Sequence, residues 1–237
     1  PDGEQLAWLA PRDAVLNVWV APRVDPSAAR AVTNDTGRGI RFFAWAFTND
    51  HVLYLQDTGG DENWRVYATD LTSGETRDLT PMEGIHARIQ QMSRHDPRTT
   101  LGALNDREPQ WHDLYRLDIT SGERELVLEN NRFVEVLTDD RLRVRRAYQV
   151  TEDGGIDVFA PGGDDWEQIE RISRDDAMTT DPVGFDESCR TLYMRDSRDR
   201  DTAALYALDT ESGERELLAE DSRADLADVI RHPTKHT

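Results

Sequence analysis

Hydrophobic and polar residues alternate along most of the chain, in short runs separated by turn residues. Runs of about four to eight residues with a period of two predict β-strands, and no stretch has the periodicity of an amphipathic helix. The chain is therefore predicted to be all-β. One group of runs lies at 6–10, 51–56, 100–104, 142–149 and 191–194. A second group of shorter apolar runs lies at 40–47, 85–92, 133–137, 182–185 and 226–230.

A sequence repeat organises these strands. The pattern Tyr-x-x-Asp-x-x-Ser-Gly-Glu occurs with its serine at 73, 121 and 212, so the intervals are 48 and 91 residues. The longer interval holds a degenerate copy at 156–169, and a further copy lies at 16–27. Each copy predicts a β-hairpin that joins the third and fourth strands of a set. Four antiparallel strands in about 45 residues are typical of a β-propeller blade.

The repeat predicts a single propeller domain with about five blades' worth of strands. The blade segments are 1–34, 35–80, 81–129, 130–172, 173–220 and, as the start of a next blade, 221–237. The segments fit either a closed five-bladed ring or an arc of a larger propeller. The chain begins at Pro1-Asp2-Gly3, inside a turn and without a methionine, which favours an arc from a longer protein.

Charge and composition limit the classes of partner that this chain is expected to bind. With 47 acidic and 28 basic residues the formal charge is -19, which disfavours nucleic acid and anionic membranes. No run approaches the roughly 20 apolar residues of a membrane span, and no signal peptide is recognisable. Lys235 is the single lysine, a bias that fits both GC-rich codons and a high-salt habitat. Cys189, the single cysteine, has no intrachain disulfide partner, so we predict a cytoplasmic protein.

Several stretches, taken in order, resemble a known family. They are 1–8, 36–42, 53–57 with 61–64, 105–115 and 199–205. Together they resemble the amino-terminal propeller of the prolyl oligopeptidase family of serine peptidases, in its acylaminoacyl-peptidase or dipeptidyl-peptidase branch. The resemblance implies a propeller with more blades than this chain holds. It also implies a carboxy-terminal α/β-hydrolase domain, which the propeller caps and to which it admits substrates by size.

The chain does not contain the nucleophile motif that the resemblance requires. Gly-x-Ser-x-Gly, the strained turn that exposes the serine of such hydrolases, occurs nowhere. Ser73, Ser121 and Ser212 recur at predicted hairpin turns, where a hydroxyl group bonds its own backbone. The chain alone is therefore predicted to be inactive, with the hydrolase domain outside it.

No metal or cofactor is predicted. The six histidines form no zinc-binding pattern. Asp57, Asp61, Glu62 and Asn63 offer oxygen ligands of the type that calcium prefers, but without the spacing of an EF-hand. In so acidic a chain this stretch is predicted to be a solvated loop.

Candidate binding residues follow from the strand order. In antiparallel blades, the connection from second to third strand and the connection to the next blade open on one face. Here these connections, at 56–64, 105–112, 196–202 and 34–40, differ from blade to blade, and variable loops on a uniform scaffold commonly bind ligands. The candidates are Arg38, Asp61, Glu62, Trp64, Arg107, Trp111, His112 and Arg198. The alternative is that these residues only close the blades through ion pairs and stacked tryptophans.

Two charged stretches have specific interpretations. The carboxylates of Asp61 and Glu62 are suited to attract the amino terminus of a peptide. The run 141–146 alternates arginine with Leu142 and Val144, which predicts a solvated strand face with arginines outward, balanced by nearby carboxylates.

The leading hypothesis is a non-catalytic propeller domain that gates peptide access to a hydrolase domain, its partner, outside this chain. One alternative is a stand-alone protein-binding propeller that resembles the propeller of periplasmic translocation proteins. Another is a metal-dependent, lactonase-like propeller, which tight calcium binding would favour. The sequence leaves the oligomeric state open.

Overall fold

The computed structural model describes residues 1–163 and 165–230. Within these ranges the regular structure is β-strand, apart from a short 3-10 helix at Pro26–Ala28. The chain divides into two compact units, Pro1–Asn131 and Arg132–Thr237, which we call the N-terminal unit and the C-terminal unit. The described residues include no helix long and apolar enough to cross a membrane.

The N-terminal unit contains three antiparallel sheets built from strands consecutive in sequence. Their orders are β1-β2-β3, β4-β5-β6-β7 and β8-β9-β10-β11. The first two sheets comprise Gln5–Arg12 (β1), Val15–Pro22 (β2), Arg30–Ala31 (β3), Phe42–Trp45 (β4), His51–Gln56 (β5), Arg65–Asp70 (β6) and Thr76–Asp78 (β7). The third comprises Ala87–Met92 (β8), Thr99–Glu108 (β9), Trp111–Asp118 (β10) and Arg124–Leu128 (β11).

The C-terminal unit contains two sheets of the same kind. Their orders are β12-β13-β14-β15 and β16-β17-β18-β19. The strands are Glu135–Thr138 (β12), Val144–Val150 (β13), Ile156–Gly162 (β14), Asp165–Ile172 (β15), Asp181–Phe185 (β16), Thr191–Asp196 (β17), Ala204–Asp209 (β18) and Arg215–Ala219 (β19). Up-and-down sheets of four strands, repeated along the chain, are propeller blades, so the predicted all-β propeller with about five blades' worth of strands is confirmed.

The last predicted strand is not formed. Leu226 donates its N–H to the carbonyl of Ala203 at 2.9 Å, but the described residues after Ala219 contain no strand. Residues 231–237, the rest of the predicted start of a next blade, lie outside the described residues.

The three Ser-Gly-Glu segments form the turns between third and fourth strands. In the first turn Asp70 accepts the N–H of Ser73 at 3.3 Å, and Ser73 Oγ accepts the N–H of Glu75 at 3.2 Å. Gly74 has a φ of 75°, which glycine adopts without steric cost. The other two turns repeat these bonds. The prediction that these serines bond their own backbone is confirmed.

Apolar residues on alternate strand positions pack the sheets of the N-terminal unit together. Leu53 and Leu104 are fully buried in a cluster between the second and third sheets. Val18 and Val52 lie in a second cluster between the first and second sheets. Burying each such side chain stabilises the fold by about 1.5–3 kcal/mol, so these clusters hold the three sheets in one unit.

The core of the C-terminal unit joins its two sheets. Phe185, Leu192 and Met194 are buried on the β16–β19 sheet, and Val158 is buried on the β12–β15 sheet. Leu137 packs against both groups. One apolar side chain therefore connects the two clusters.

The arginine run at 141–146 departs from its prediction. Leu142 is buried but lies in a turn with a φ of 59°, and β13 begins only at Val144. Arg145 is the extra residue of a β-bulge, because the register against β12 shifts between Val144 and Arg146. Arg146 is only 8% exposed. The prediction of outward arginines therefore holds at Arg141 and Arg143, which are exposed, and is wrong at Arg145 and Arg146.

Candidate functional site

The candidate residues of the N-terminal unit lie at the end of the sheets where second strands connect to third strands. Here the chain connects β5 to β6 through 57–64, β9 to β10 through 109–110, and β3 to β4 through 32–41. The predicted loop at 105–112 is mostly strand, because β9 extends to Glu108 and β10 begins at Trp111. Trp111 is half-buried and pairs with Glu108 across this tight turn.

Arg38 forms an ion pair with the 57–64 loop. Its Nη1 lies 3.3 Å from Asp57 Oδ2, and the Asp57 side chain is 3% exposed. Gly60 has a φ of 91°, and a Cβ at this position would clash with the Arg38 guanidinium. The positive φ therefore favours glycine at this position, and a larger residue would also displace the Arg38 guanidinium.

The two acidic candidates of this loop differ in what their carboxylates do. Asp61 accepts the N–H groups of Thr58 and Asn63, both at 3.1 Å. These backbone bonds lower the pKa of Asp61, although desolvation opposes the shift. Glu62 is exposed and makes no ion pair within the described residues. Asp61 therefore shapes the loop, whereas the carboxylate of Glu62 is available to a ligand.

Trp64 connects the loop to the neighbouring sheet. Its N–H donates to the carbonyl of Glu62 at 3.1 Å, and its own carbonyl accepts the N–H of Ala87, the first residue of β8, at 2.7 Å. The side chain is half-buried. The loop end and β8 therefore form one continuous surface.

Arg107 takes part in a partly buried ion pair. Its Nε and Nη2 lie 2.9 and 3.0 Å from the two carboxylate oxygens of Asp113, a bidentate arrangement. Asp113 is 1% exposed and also accepts the N–H of Asn130 at 2.7 Å. Arg107 Nη2 donates to the Asn130 carbonyl at 2.8 Å. The Nε and Nη2 atoms of Arg107 therefore have their partners within the protein, which is the arrangement expected of a structural arginine.

His112 is brought next to His86. His86 Nδ1 lies 3.3 Å from His112 Nε2, and the rings meet edge to face with centroids 5.5 Å apart. Burial and the nearby Arg88 lower the pKa of both imidazoles, and that of His112 falls to about 4. Both rings are therefore neutral at pH 7. The carboxylate of Glu62 is close enough to His86 to oppose this shift.

Arg198, the candidate in the C-terminal unit, also belongs to an ion-pair network. Its Nε and Nη2 lie 2.9 and 2.6 Å from the carboxylate oxygens of Asp196, and its Nη1 bonds Glu170. Asp196 is 1% exposed, and its bonds raise the pKa of Arg198. Arg198 lines a cavity between the β12–β15 and β16–β19 sheets.

The described part of the chain contains no group of three or more histidine, cysteine or carboxylate side chains that would hold a metal ion. In the loop that offered calcium-type ligands, Asp57 is paired with Arg38 and Asp61 with backbone N–H groups. The loop geometry therefore accounts for these two carboxylates without a cation.

A comparison with curated proteins finds a related peptidase. The chain is 44% identical over 235 residues to dipeptidyl aminopeptidase BIII of Pseudoxanthomonas mexicana, and the match covers 98% of the chain and 34% of the relative. The chain spans about a third of the length of the curated relatives that it matches. No protein-family profile matches it.

Solved structures share the fold. The β-propeller domain of the trilobed protease from Pyrococcus furiosus gives a TM-score of 0.60 at 17% identity, covering 94% of this chain and 68% of that one. A prolyl endopeptidase gives a TM-score of 0.63 at 11% identity, covering 90% and 33%. The chain matches the propeller of the prolyl oligopeptidase family. The resemblance predicted from the sequence is confirmed.

Sequence reasoning missed several partners of the candidate residues. His86, Asp113 and Asn130 were not among the candidates, although each contacts one of them. For Asp113 a signal existed, because an acidic residue inside an apolar strand pattern indicates a buried and paired carboxylate. No local signal marks His86 or Asn130, since their contacts come from other strands.

Proposed function

We propose that this chain is the non-catalytic propeller domain of a prolyl oligopeptidase-like serine peptidase, and that it gates peptide access to an α/β-hydrolase domain outside the chain. The identity to a dipeptidyl aminopeptidase carries this proposal, because it extends over 98% of the chain and only 34% of the relative. The sequence supports it further, since no Gly-x-Ser-x-Gly motif is present to supply the nucleophile.

The loop end of the N-terminal unit is the surface that we assign to the peptide. Glu62 presents an exposed carboxylate in the same loop as the half-buried Trp64 and close enough to His86 to affect its pKa. A carboxylate in this position attracts the ammonium group of a peptide. Asp61 is less suited to this role, because its Oδ1 already accepts two backbone N–H groups and its Oδ2 accepts the Asn63 side chain.

The first test is reaction with a fluorophosphonate, which labels activated serines. We expect the intact protein to be labelled and to cleave peptide substrates, and this chain alone to remain unlabelled. An intact protein that is neither labelled nor active would overturn the peptidase assignment and favour a stand-alone binding propeller.

The role of Glu62 is tested by E62Q in the intact protein, assayed on peptides with a free or an acetylated amino terminus. Losing a charge-assisted contact should raise KM by about tenfold for the free peptides only. E75Q, in the exposed turn at the other end of the same sheet, is the matched control. Equal effects of E62Q on both peptide types would contradict the assignment.

The cytoplasmic location stays a prediction from the single cysteine. Immunoblotting of cytosolic, periplasmic and membrane fractions with an antibody against this chain measures it directly. Recovery outside the cytosol would contradict it.

A further inference from the structure

The C-terminal unit contains a cavity of about 760 Å³ between its two sheets. Six charged side chains line it: Arg145, Arg146, Arg198, Arg215, Glu170 and Glu211. The volume lies within the range of small-molecule sites. Arg215 and Glu211 are exposed, so the cavity opens to solvent on their side.

Three of these four arginines are paired with carboxylates. Arg145 lies 3.0 Å from Asp139, and Arg215 lies 2.5 Å from Asp196. Arg198 is held by the same Asp196 and by Glu170.

The remaining acid of the cavity is also paired. Glu211 lies 3.3 Å from Arg190. The charges of these five lining residues are therefore balanced by neighbouring groups within the unit.

Arg146 differs from the other charged residues that line the cavity. It is 8% exposed, makes no ion pair within residues 1–163 and 165–230, and its Nη1 has no hydrogen-bond partner. A buried N–H group without a hydrogen-bond partner is energetically costly, because the Nη1 of Arg146 has lost its hydration without a compensating bond. Arg146 is therefore the cation in excess in this cavity.

The strand register directs Arg146 toward the β16–β19 sheet. Tyr148 pairs with Val158, and Val158 pairs with Glu170, so these three side chains share one face of the β12–β15 sheet. Arg146 lies two residues before Tyr148 on β13 and shares that face. Glu170 bonds Arg198, which belongs to the opposite side of the cavity.

Tyr148 adds a second polar group without a partner. It is 4% exposed, and its hydroxyl group has no hydrogen-bond partner of ordinary geometry, although the Arg146 guanidinium lies beside it. Burial raises the pKa of Tyr148 to about 12, so the phenol keeps its proton and is a donor. The Arg146 guanidinium and the Tyr148 hydroxyl group are therefore neighbouring buried groups that can both donate to an added acceptor.

We propose that this cavity is an oxyanion site, in which Arg146, assisted by Tyr148, binds the carboxylate or phosphate group of a small molecule. A planar guanidinium group matches the oxygens of either group. The net charge of -19 repels anions from the surface as a whole, so binding requires a local site such as this one. The proposal does not depend on the peptidase assignment.

The test is calorimetric titration of the intact protein with inorganic phosphate and with citrate, in chloride buffer of constant ionic strength. We expect saturable binding of at least one of them, and the stronger of the two identifies the phosphate or carboxylate chemistry. R146M should weaken binding by at least about tenfold, since a bond to a charged group is lost. Y148F should weaken it less, because a neutral donor is removed.

R141Q is the matched control, because it removes an exposed arginine of the same unit that does not line the cavity. It should leave the affinity unchanged. Circular dichroism tests whether each variant is folded. If R146M does not fold, Y148F still tests the site, because it preserves the packing of the aromatic ring. The proposal is overturned if the protein binds neither phosphate nor citrate. It is also overturned if wild type, R146M and Y148F bind the anion with equal affinity.

Discussion

Two strand arginines, one in each unit, show opposite uses of the same side chain. Arg107 in the N-terminal unit bonds both oxygens of the buried Asp113 and the carbonyl of Asn130. Arg146 in the C-terminal unit is more deeply buried, yet its Nη1 has no partner. Arg107 has its hydrogen-bond acceptors within the protein. Arg146 gains an acceptor for Nη1 only when an anion binds.

The contrast shows why exposure is a poor guide to function in this chain. Arg107 was predicted as a binding residue because it lies at the variable end of a blade, and its side chain is one-third exposed. Arg146 was predicted to be solvated, and it is buried. The set of hydrogen-bond partners, rather than the position along a strand, distinguishes the structural arginine from the binding arginine.

The largest expected effect comes from breaking the complete arrangement. D113A leaves the Arg107 guanidinium group and the Asn130 N–H without their acceptor, so the free energy of unfolding should fall by about 3 kcal/mol. Urea denaturation measures this change. E123A, in an exposed turn of the same sheet, should change stability by less than about 0.5 kcal/mol. A similar loss of stability in D113A and E123A would contradict a specific stabilising role of the Asp113–Arg107 pair.

Removing each arginine in turn sharpens the comparison. R107M should lower the free energy of unfolding, but by less than D113A does, because Asp113 is left as a buried charge without its cation. In chloride buffer R146M should leave stability unchanged or raise it by up to about 1 kcal/mol, since an unpaired buried charge is removed. Chemical denaturation of both variants measures the difference. An equal loss in R146M would show that Arg146 already has its partner within the protein.

At pH 7 the smallest expected effect comes from the His86–His112 pair, because both rings are neutral there and the contribution of the pair changes only at lower pH. In the folded state the pKa of His112 is about 4, whereas an unfolded histidine has a pKa of about 6.5. Between these values the unfolded chain binds more protons, so stability is fully present above pH 6.5 and falls as the pH drops toward 4.

Substitution H112Q should make this dependence shallower. H95Q, which removes an exposed histidine of the same unit, is its control. Thermal unfolding measured from pH 4 to pH 7 provides the comparison. Identical slopes for H112Q and wild type would contradict the assigned role of His112.

Much of the fold follows from local patterns. The strand His51–Gln56 has its predicted bounds, and Ser73 and Ser212 bond the backbone of their own turns as expected. These features depend on residues two to six positions apart, which the sequence displays directly. The bulge at Arg145 depends on the register against another strand, and no local pattern marked it.

The candidate site was predicted less completely. Arg38 and Glu62 lie in connections at the expected end of the blade, because antiparallel order alone determines which loops share that end. The sequence did not predict that Arg107 pairs with Asp113 or that His112 contacts His86. Each pair joins residues from different segments of the chain, and only the folded sheet brings them together.

The sequence by itself determined the period of the repeat, the turns and the alternation, and hence an all-β propeller. These properties are local or repeated, so each copy supports the same interpretation. Only the tertiary structure decided which charges neutralise one another. Ion pairs form between side chains from separate strands, and the burial of Arg146 in a cavity depends on the elements that pack around its strand.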